Sequence, residues 1–326
     1  MDLFSHALLP YLLGNFFKRN KQEITAFVIG GIAPDFDLSI LWIQYLYPTF
    51  FLITHRGLTH SLFFGFFTAL IILYLATRDK VKALVRRFVN FEPAITRRTI
   101  AFAYVGIIIH LFLDYTTTRG VPLFFPFDVT RYSAEVFFYT DIYLTILSLI
   151  IIAILYKMPL QREATTKFLV IFLVIFAALG TVRIMEKTSA EDFFKDQNEQ
   201  TFPTTSIFDW YVVGDYGDKI KIHEYNELNR TSQYSVTVPK LNITTGGENL
   251  DAALHAAGEM PQVKMFEWRA YAVAINASFN NGAWSLEYYD PVQRAMAHDS
   301  PAFFRRATSG FGSVKVKVEG DRVIVQ

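Results

Sequence analysis

The chain contains no cysteine. That absence removes disulfides, thiolate nucleophiles and every cysteine-held zinc, so a metal here must rest on imidazole, carboxylate or water. Charge is scarce too: 19% of the 326 residues are Asp, Glu, Lys or Arg, against 52% hydrophobic, 32 of them Phe. With a mean hydropathy of +0.25, the composition excludes an ordinary soluble domain and makes a bilayer the first environment to consider. The net charge is only +1, and no nucleic-acid partner is expected. Internal repeats and low-complexity tracts are missing. So is the order of a secretory signal: Lys18, Arg19 and Lys21 follow the apolar run Leu3–Phe17 instead of preceding it, so that run is expected to be retained.

What is present divides in two. Residues 1–185 carry 17 Lys and Arg against 11 Asp and Glu, whereas 186–326 carry 14 against 19. The basic half holds apolar tracts at 24–47, 61–76, 100–115, 141–156 and 168–185, plus the shorter 3–17, which reaches only ~22 Å at ~1.5 Å per residue and either spans or is re-entrant. Tract 24–47 is broken by Gly30, Gly31, Pro34, Asp35 and Asp37, an interruption tolerated at membrane depth where it lines an enclosed or wet cavity. The loops 18–22, 77–99 and 157–167 hold thirteen Lys and Arg, and the opposite loops hold four. This bias predicts a multi-pass cell-membrane protein of about six segments, basic loops in the cytoplasm and both termini outside. The expected fold is thus an α-helical integral membrane domain (1–185, six apolar segments, one broken) followed by a small β-rich soluble domain (186–326) on the extracytoplasmic side. Partial alternation predicts strands in Asp209–Asn229, Gln233–Leu241, Met265–Tyr289 and Ser313–Gln326, with turns at Asn280-Asn281-Gly282 and Glu319-Gly320-Asp321 and a short helix over 248–257.

The chemistry concentrates at the polar interruptions of the first half. His110 and Asp114, four apart, fall about 40° apart around one helix and can serve one ion. His55 and His60 flank Arg56-Gly57-Leu58-Thr59, where Gly57 is expected to turn the backbone and Thr59 to cap the next helix. Asp35 and Asp37, read as an extended link, point the same way, and two carboxylates in an apolar setting need cations or protons. His6 lies on the first apolar run. Ionisable groups inside a membrane are costly and usually functional, so His6, Asp35, His55, His60, His110 and Asp114 are the candidate metal ligands and Asp37 the candidate base or second-metal ligand. Arg56 and Arg119 stand beside them, suited to a phosphate or carboxylate. Asp128, Glu135 and Asp141 lie further along at unspecific spacing.

The segments Phe4-Ser5-His6, Gly30-Gly31-Ile32-Ala33-Pro34-Asp35-Phe36-Asp37, His55-Arg56-Gly57-Leu58-Thr59-His60-Ser61 and His110-Leu111-Phe112-Leu113-Asp114, running into Thr116-Thr117-Thr118-Arg119-Gly120, resemble the YdjM-type family of membrane-bound proteins taken as metal-dependent hydrolases. The resemblance covers roughly 1–130. More distantly, the His-x-x-x-Asp helix with upstream Asp and His is similar to zinc phospholipase C and its related nucleases, whose downstream His-x-x-x-Glu this chain lacks. The resemblance implies a metal-dependent hydrolase. Zinc is favoured by the four imidazoles, with manganese or magnesium as alternatives, and metal-activated water would attack a lipid-linked or phosphoester substrate in contact with membrane lipid. The rival expectations are a non-enzymatic metal-binding, transport or sensing protein with an extracytoplasmic partner module, and a purely structural metal.

Overall fold

The structure is a computed structural model, and it describes residues 1–46, 54–157, 162–194, 199–299, 312–320 and 322–326. The end of tract 24–47, the run leading up to His55 and part of loop 157–167 lie outside the described residues. Contacts divide the chain into a largely helical unit, Met1–Ile43 with Ile53–Ile184, and a β-rich unit, Met185–Gln326 with Gln44–Leu52.

In the helical unit, α1 (Leu3–Phe16) starts where the Asp2 side chain accepts the Ser5 N–H at 2.9 Å. A capping box between Asn20 and Glu23 opens α2 (Lys21–Ile32). Pro34 then turns the chain into a 3₁₀ turn, Pro34–Ser39, followed by the short α3 (Ile43–Leu46). A second 3₁₀ turn, Leu58–His60, precedes α4 (Leu62–Ala76) and α5 (Asp79–Val85). Thr96 and Thr99 box the start of α6 (Arg97–Tyr115). The remaining helices are α7 (Ile142–Lys157) and α8 (Arg162–Phe194).

The expectation of six spans is corrected. Among the described residues, two helices are long and apolar enough to cross a bilayer, α6 and Glu163–Phe194 within α8; a third is added only if α4 and α5, bent by 83°, form one span. The reason is length. At ~1.5 Å per residue the 14 residues of α1, 12 of α2 and 16 of α7 fall well short of a ~30 Å apolar core. Pro34 ends α2 as expected, but the link after it is a 3₁₀ turn rather than an extended strand. The cap of α4 is Ser61, whose Oγ accepts the Phe64 N–H at 3.1 Å; Thr59 sits inside the 3₁₀ turn instead. The left-handed residue of that loop is Arg56 (φ 59°), not Gly57.

Two sheets form the β-rich unit. The first has order β1-β2-β3-β4, all antiparallel: β1 (Glu199–Pro203), β2 (Asp209–Asp215), β3 (Lys219–Asn226), β4 (Thr231–Pro239). The second has order β5-β6-β7-β8-β9: β5 (Leu241–Thr245) lies parallel to β6 (Ala274–Asn280), and β7 (Ala283–Tyr289), β8 (Ser313–Glu319) and β9 (Arg322–Val325) continue antiparallel. Asn281 and Gly282, both at positive φ, close the β6–β7 hairpin, the turn that their dipeptide predicts. The helix expected over 248–257 is α9 (Leu250–Gly258). Met265, expected in a strand, is helical: Pro261 at the first position starts α10 (Pro261–Arg269), which buries Val263 and Phe266 against Trp284, Leu286 and Val316. A further helix, α11 (Pro291–Asp299), follows Asp290, whose carboxylate accepts the Val292 and Gln293 N–H groups.

Candidate metal centre

Glycines set the position of the centre. Where α2 crosses α6, a Cβ on Gly30 would stand 1.9 Å from the Ala103 carbonyl oxygen, and one on Gly106 2.4 Å from that of Phe27. A Cβ on Gly31 would stand 2.4 Å from the His6 carbonyl oxygen of α1. Only glycine lets these backbones touch, and close contact of small residues is how helices associate where no hydrophobic driving force separates them from lipid. One turn beyond Gly106, His110 enters the gap so made. Its Nδ1–H donates to the Gly31 carbonyl at 2.7 Å, and its ring stacks on His6 with centroids 3.7 Å apart.

Four elements deliver the polar groups: His6 from α1, Asp35 and Asp37 from the first 3₁₀ turn, His55 to His60 from the loop and second 3₁₀ turn, and His110 and Asp114 from α6. His6, His60 and His110 are fully enclosed, and Asp114 is 1% exposed. The ring tautomers follow from the partners. A carbonyl can only accept, so His110 carries its proton on Nδ1. The Asp37 carboxylate likewise accepts the His55 Nδ1–H at its Oδ1, 2.9 Å away. Thr59 Oγ1 donates to Asp37 Oδ2 at 3.0 Å, and the same oxygen accepts from His60 Nδ1 at 3.0 Å. All three rings therefore use Nδ1 as a donor, which leaves Nε2 as the nitrogen available to an ion or ligand. This outer bonding is the kind that orients metal-binding imidazoles.

The Nε2 atoms of His60 and His110, and both nitrogens of His6, are buried without a hydrogen-bond partner. Buried polar atoms are rarely left so. Around them the spacing is regular. His60 Nε2 lies 3.4 Å from Asp35 Oδ1 and 3.6 Å from Asp114 Oδ2, and His110 Nε2 lies 3.6 Å and 3.5 Å from the same two oxygens. Ligands ~2.1 Å from a tetrahedral ion are about 3.4 Å from one another. Each of the two oxygens thus stands at ligand spacing from both nitrogens, and the imidazole and carboxylate groups gathered here could hold a metal ion. His6 Nε2 lies at the margin, 3.3 Å from Asp114 Oδ1. Three triads have ligand atoms within 4.8 Å of one another: His6-His110-Asp114, Asp35-His60-His110 and Asp37-His55-His60.

The other candidate residues have distinct settings. Asp37 Oδ2 also accepts the Arg56 N–H at 3.3 Å, so both its oxygens are engaged in holding the loop and its imidazoles. Arg56 is 1% exposed. Its Nη2 donates to Asp114 Oδ1 at 2.7 Å, its Nη1 donates to Thr117 Oγ1 and the Thr118 carbonyl, and its guanidinium covers the Tyr139 ring at 3.9 Å. The Met1 nitrogen shares that carboxylate oxygen, which leaves Oδ2 to face the imidazoles. Arg119 (φ 70°) stands on the loop after α6, its N–H on Glu135 Oε1 at 3.2 Å and its carbonyl on Arg131. Asp141 caps α7 and pairs with Arg183 at 3.0 Å, and Asp128 accepts from Tyr132 Oη. Thr117 and Thr118 stand in the motif that runs on from Asp114, without a role assigned to them there; Tyr139 is the support that nothing near it in the sequence marks.

A family model described as YdjM inner membrane protein matches residues 1–190, which contain every residue of this centre. No curated protein and no solved structure matches the chain.

Proposed function

The chain belongs to the YdjM inner membrane protein family, and from that premise we propose a membrane-bound, metal-dependent hydrolase acting on a lipid-linked or phosphoester substrate. The observation that carries the reading is the quartet His60 Nε2, His110 Nε2, Asp35 Oδ1 and Asp114 Oδ2, in which each oxygen lies 3.4–3.6 Å from both nitrogens and both nitrogens are buried and lack a hydrogen-bond partner. Zinc suits the two imidazoles and two carboxylates, with manganese or magnesium as alternatives. When bound, such an ion supplies a Lewis acid and lowers the pKa of coordinated water. The remaining work belongs to the chain. Arg56 offsets the charge of Asp114 and fixes its plane. Asp37 holds His55, whose partly exposed ring keeps its Nε2 lone pair for a proton or a ligand. In the same reading the basic loops are cytoplasmic and residues 186–326 extracytoplasmic, as the thirteen-to-four loop bias favours.

A second reading has its own support. Were Asp35, His60, His110 and Asp114 all to bind one ion, they would fill a four-coordinate shell, and a filled shell is the mark of a structural site; the ion would then serve binding, transport, sensing or folding instead of hydrolysis. Metal analysis of the purified protein, joined to turnover on a panel of lipid and phosphoester substrates before and after chelation, separates the two. Turnover lost on stripping and restored by zinc supports the hydrolase. Turnover indifferent to stripping overturns it, and a tightly held ion with no turnover favours the second reading.

A further inference from the structure

The segment that follows α4 has no core of its own. None of the seven residues of α5 is buried, and a helix this short is not stable alone in water. Its hydrogen-bond ladder nevertheless continues past Val85, with Arg86 N–H on the Lys82 carbonyl, Phe88 N–H on Val85 and Val89 N–H on Val85. Over this run Val81, Leu84, Val85 and Phe88 recur at the i, i+3, i+4, i+7 spacing of one helix face, an arc of about 100°. Leu84 and Phe88 are 56% and 64% exposed. Lys82 and Arg86 flank one edge of that arc, and Lys80 and Arg87 the other. Between Arg78 and Val89 there are five basic residues and one acidic, Asp79. The axis of α5 turns 83° from that of the apolar α4, so if α4 runs through the bilayer, α5 runs along its surface.

We infer that Arg78–Val89 is a surface-lying segment that docks on acidic phospholipid headgroups, its apolar arc in the acyl boundary and its basic flanks on the phosphates. An apolar face bordered on both sides by Lys and Arg is the composition of an interfacial helix, and the long stems let the charges reach the headgroups while the arc stays immersed. The charge excess selects the occupant: a protein surface would need an acidic complement of matching shape, whereas an anionic leaflet supplies one everywhere. Each Lys or Arg near such a leaflet changes the partition roughly five-fold.

The lack of cysteine makes the test direct. Leu84→Cys and Phe88→Cys, each carrying an environment-sensitive fluorophore, are compared with Asp251→Cys on α9, in the full chain reconstituted into vesicles of phosphatidylcholine alone or mixed with phosphatidylglycerol. Brominated acyl chains quench from the lipid and iodide quenches from the water. The expected result is lipid quenching at 84 and 88 that rises several-fold with phosphatidylglycerol, falls again in molar salt, and leaves residue 251 unchanged. Joint substitution of Lys80, Lys82, Arg86 and Arg87 by Glu should abolish the dependence on phosphatidylglycerol; where that variant does not fold, the salt arm carries the same information, because exposed charges are screened within ~3 Å at 1 M. Iodide access in both membranes overturns the proposal. So does lipid quenching that ignores lipid charge, and so does a label shielded from both quenchers, which would place a protein, a second copy included, on this face.

Discussion

The two units of this chain invert one another. In the helical unit the enclosed side chains include His6, His60, His110, Arg56, Asp114 and the Asp141–Arg183 pair, while Phe63, Ile71, Phe112, Ile150 and Val174 are exposed. In the β-rich unit the enclosed side chains include Trp210, Ile222, Leu286, Val292 and Val316, and its buried polar residues among those described are Glu186, Thr201, Asp290 and Gln293. Each arrangement is what its solvent requires. Lipid tails draw nothing apolar inward, so helices in lipid associate through small residues and polar groups; water drives apolar area inward at about 25 cal/mol per Å². The difference teaches where chemistry can be stored: the first unit can gather ionisable groups in its interior because its outside carries the apolar surface.

The comparison breaks hardest at Asp114. Asp114→Asn should leave the buried Arg56 without its counter-charge and remove one member of the quartet, at a cost of about 3–5 kcal/mol and with loss of bound metal. Elemental analysis and thermal melting in detergent read both effects, and unchanged metal content would remove Asp114 from the shell. Next in size, Leu286→Ala should cost about 2–5 kcal/mol by opening a cavity in the β-rich core while metal content stays as in wild type; a matching loss of metal would mean that the units do not divide the work as stated. Gly106→Ala should cost about 1–3 kcal/mol, because its methyl meets the Phe27 carbonyl. Gly258→Ala, whose methyl meets nothing within 4 Å, should stay within about 0.5 kcal/mol of wild type, and equal effects from the two would refute the role of backbone contact at Gly106. The smallest effect concerns pH. Burial, with Glu267 nearby, pushes the Tyr288 hydroxyl up to about 12. The unfolded chain then releases this proton first, so stability is untouched below pH ~10 and falls as pH rises from there towards 12. Tyr288→Phe should flatten the melting profile in that window and nowhere else; a profile identical to wild type would show that another group governs it.

Much of the centre is legible in the sequence because its groups interrupt apolar tracts, where an ionisable residue stands out. His110 and Asp114 need only helical spacing to be paired. The path of the intervening turns is harder to read. Asp35 and Asp37 reach their partners from a 3₁₀ turn, and Ser61 rather than Thr59 caps α4, because Thr59 is drawn onto Asp37, a partner 22 residues away. The count of spans misleads for another reason: hydropathy marks α1, α2 and α7 as apolar but does not register that each stops short of the bilayer thickness. In the β-rich half, Asn281-Gly282 announces its hairpin through local backbone demands. The helical state of Met265 instead comes from Pro261 and from packing on Trp284, partners that alternation in the sequence does not encode.

Gly31 serves two neighbours with one peptide. Its missing side chain admits the His6 backbone, and its carbonyl oxygen takes the Nδ1 proton of His110. The proton that decides which nitrogen of His110 is a base is therefore held by the same residue that sets how closely the helices lie. Sliding α2 along α6 by even part of a turn would strand that proton, free the ring to rotate and exchange a lone pair for an N–H at the quartet. The register of two helices and the basicity of one nitrogen form a single interlock, so any force that shears these helices also acts on the nitrogen that His110 presents to the centre.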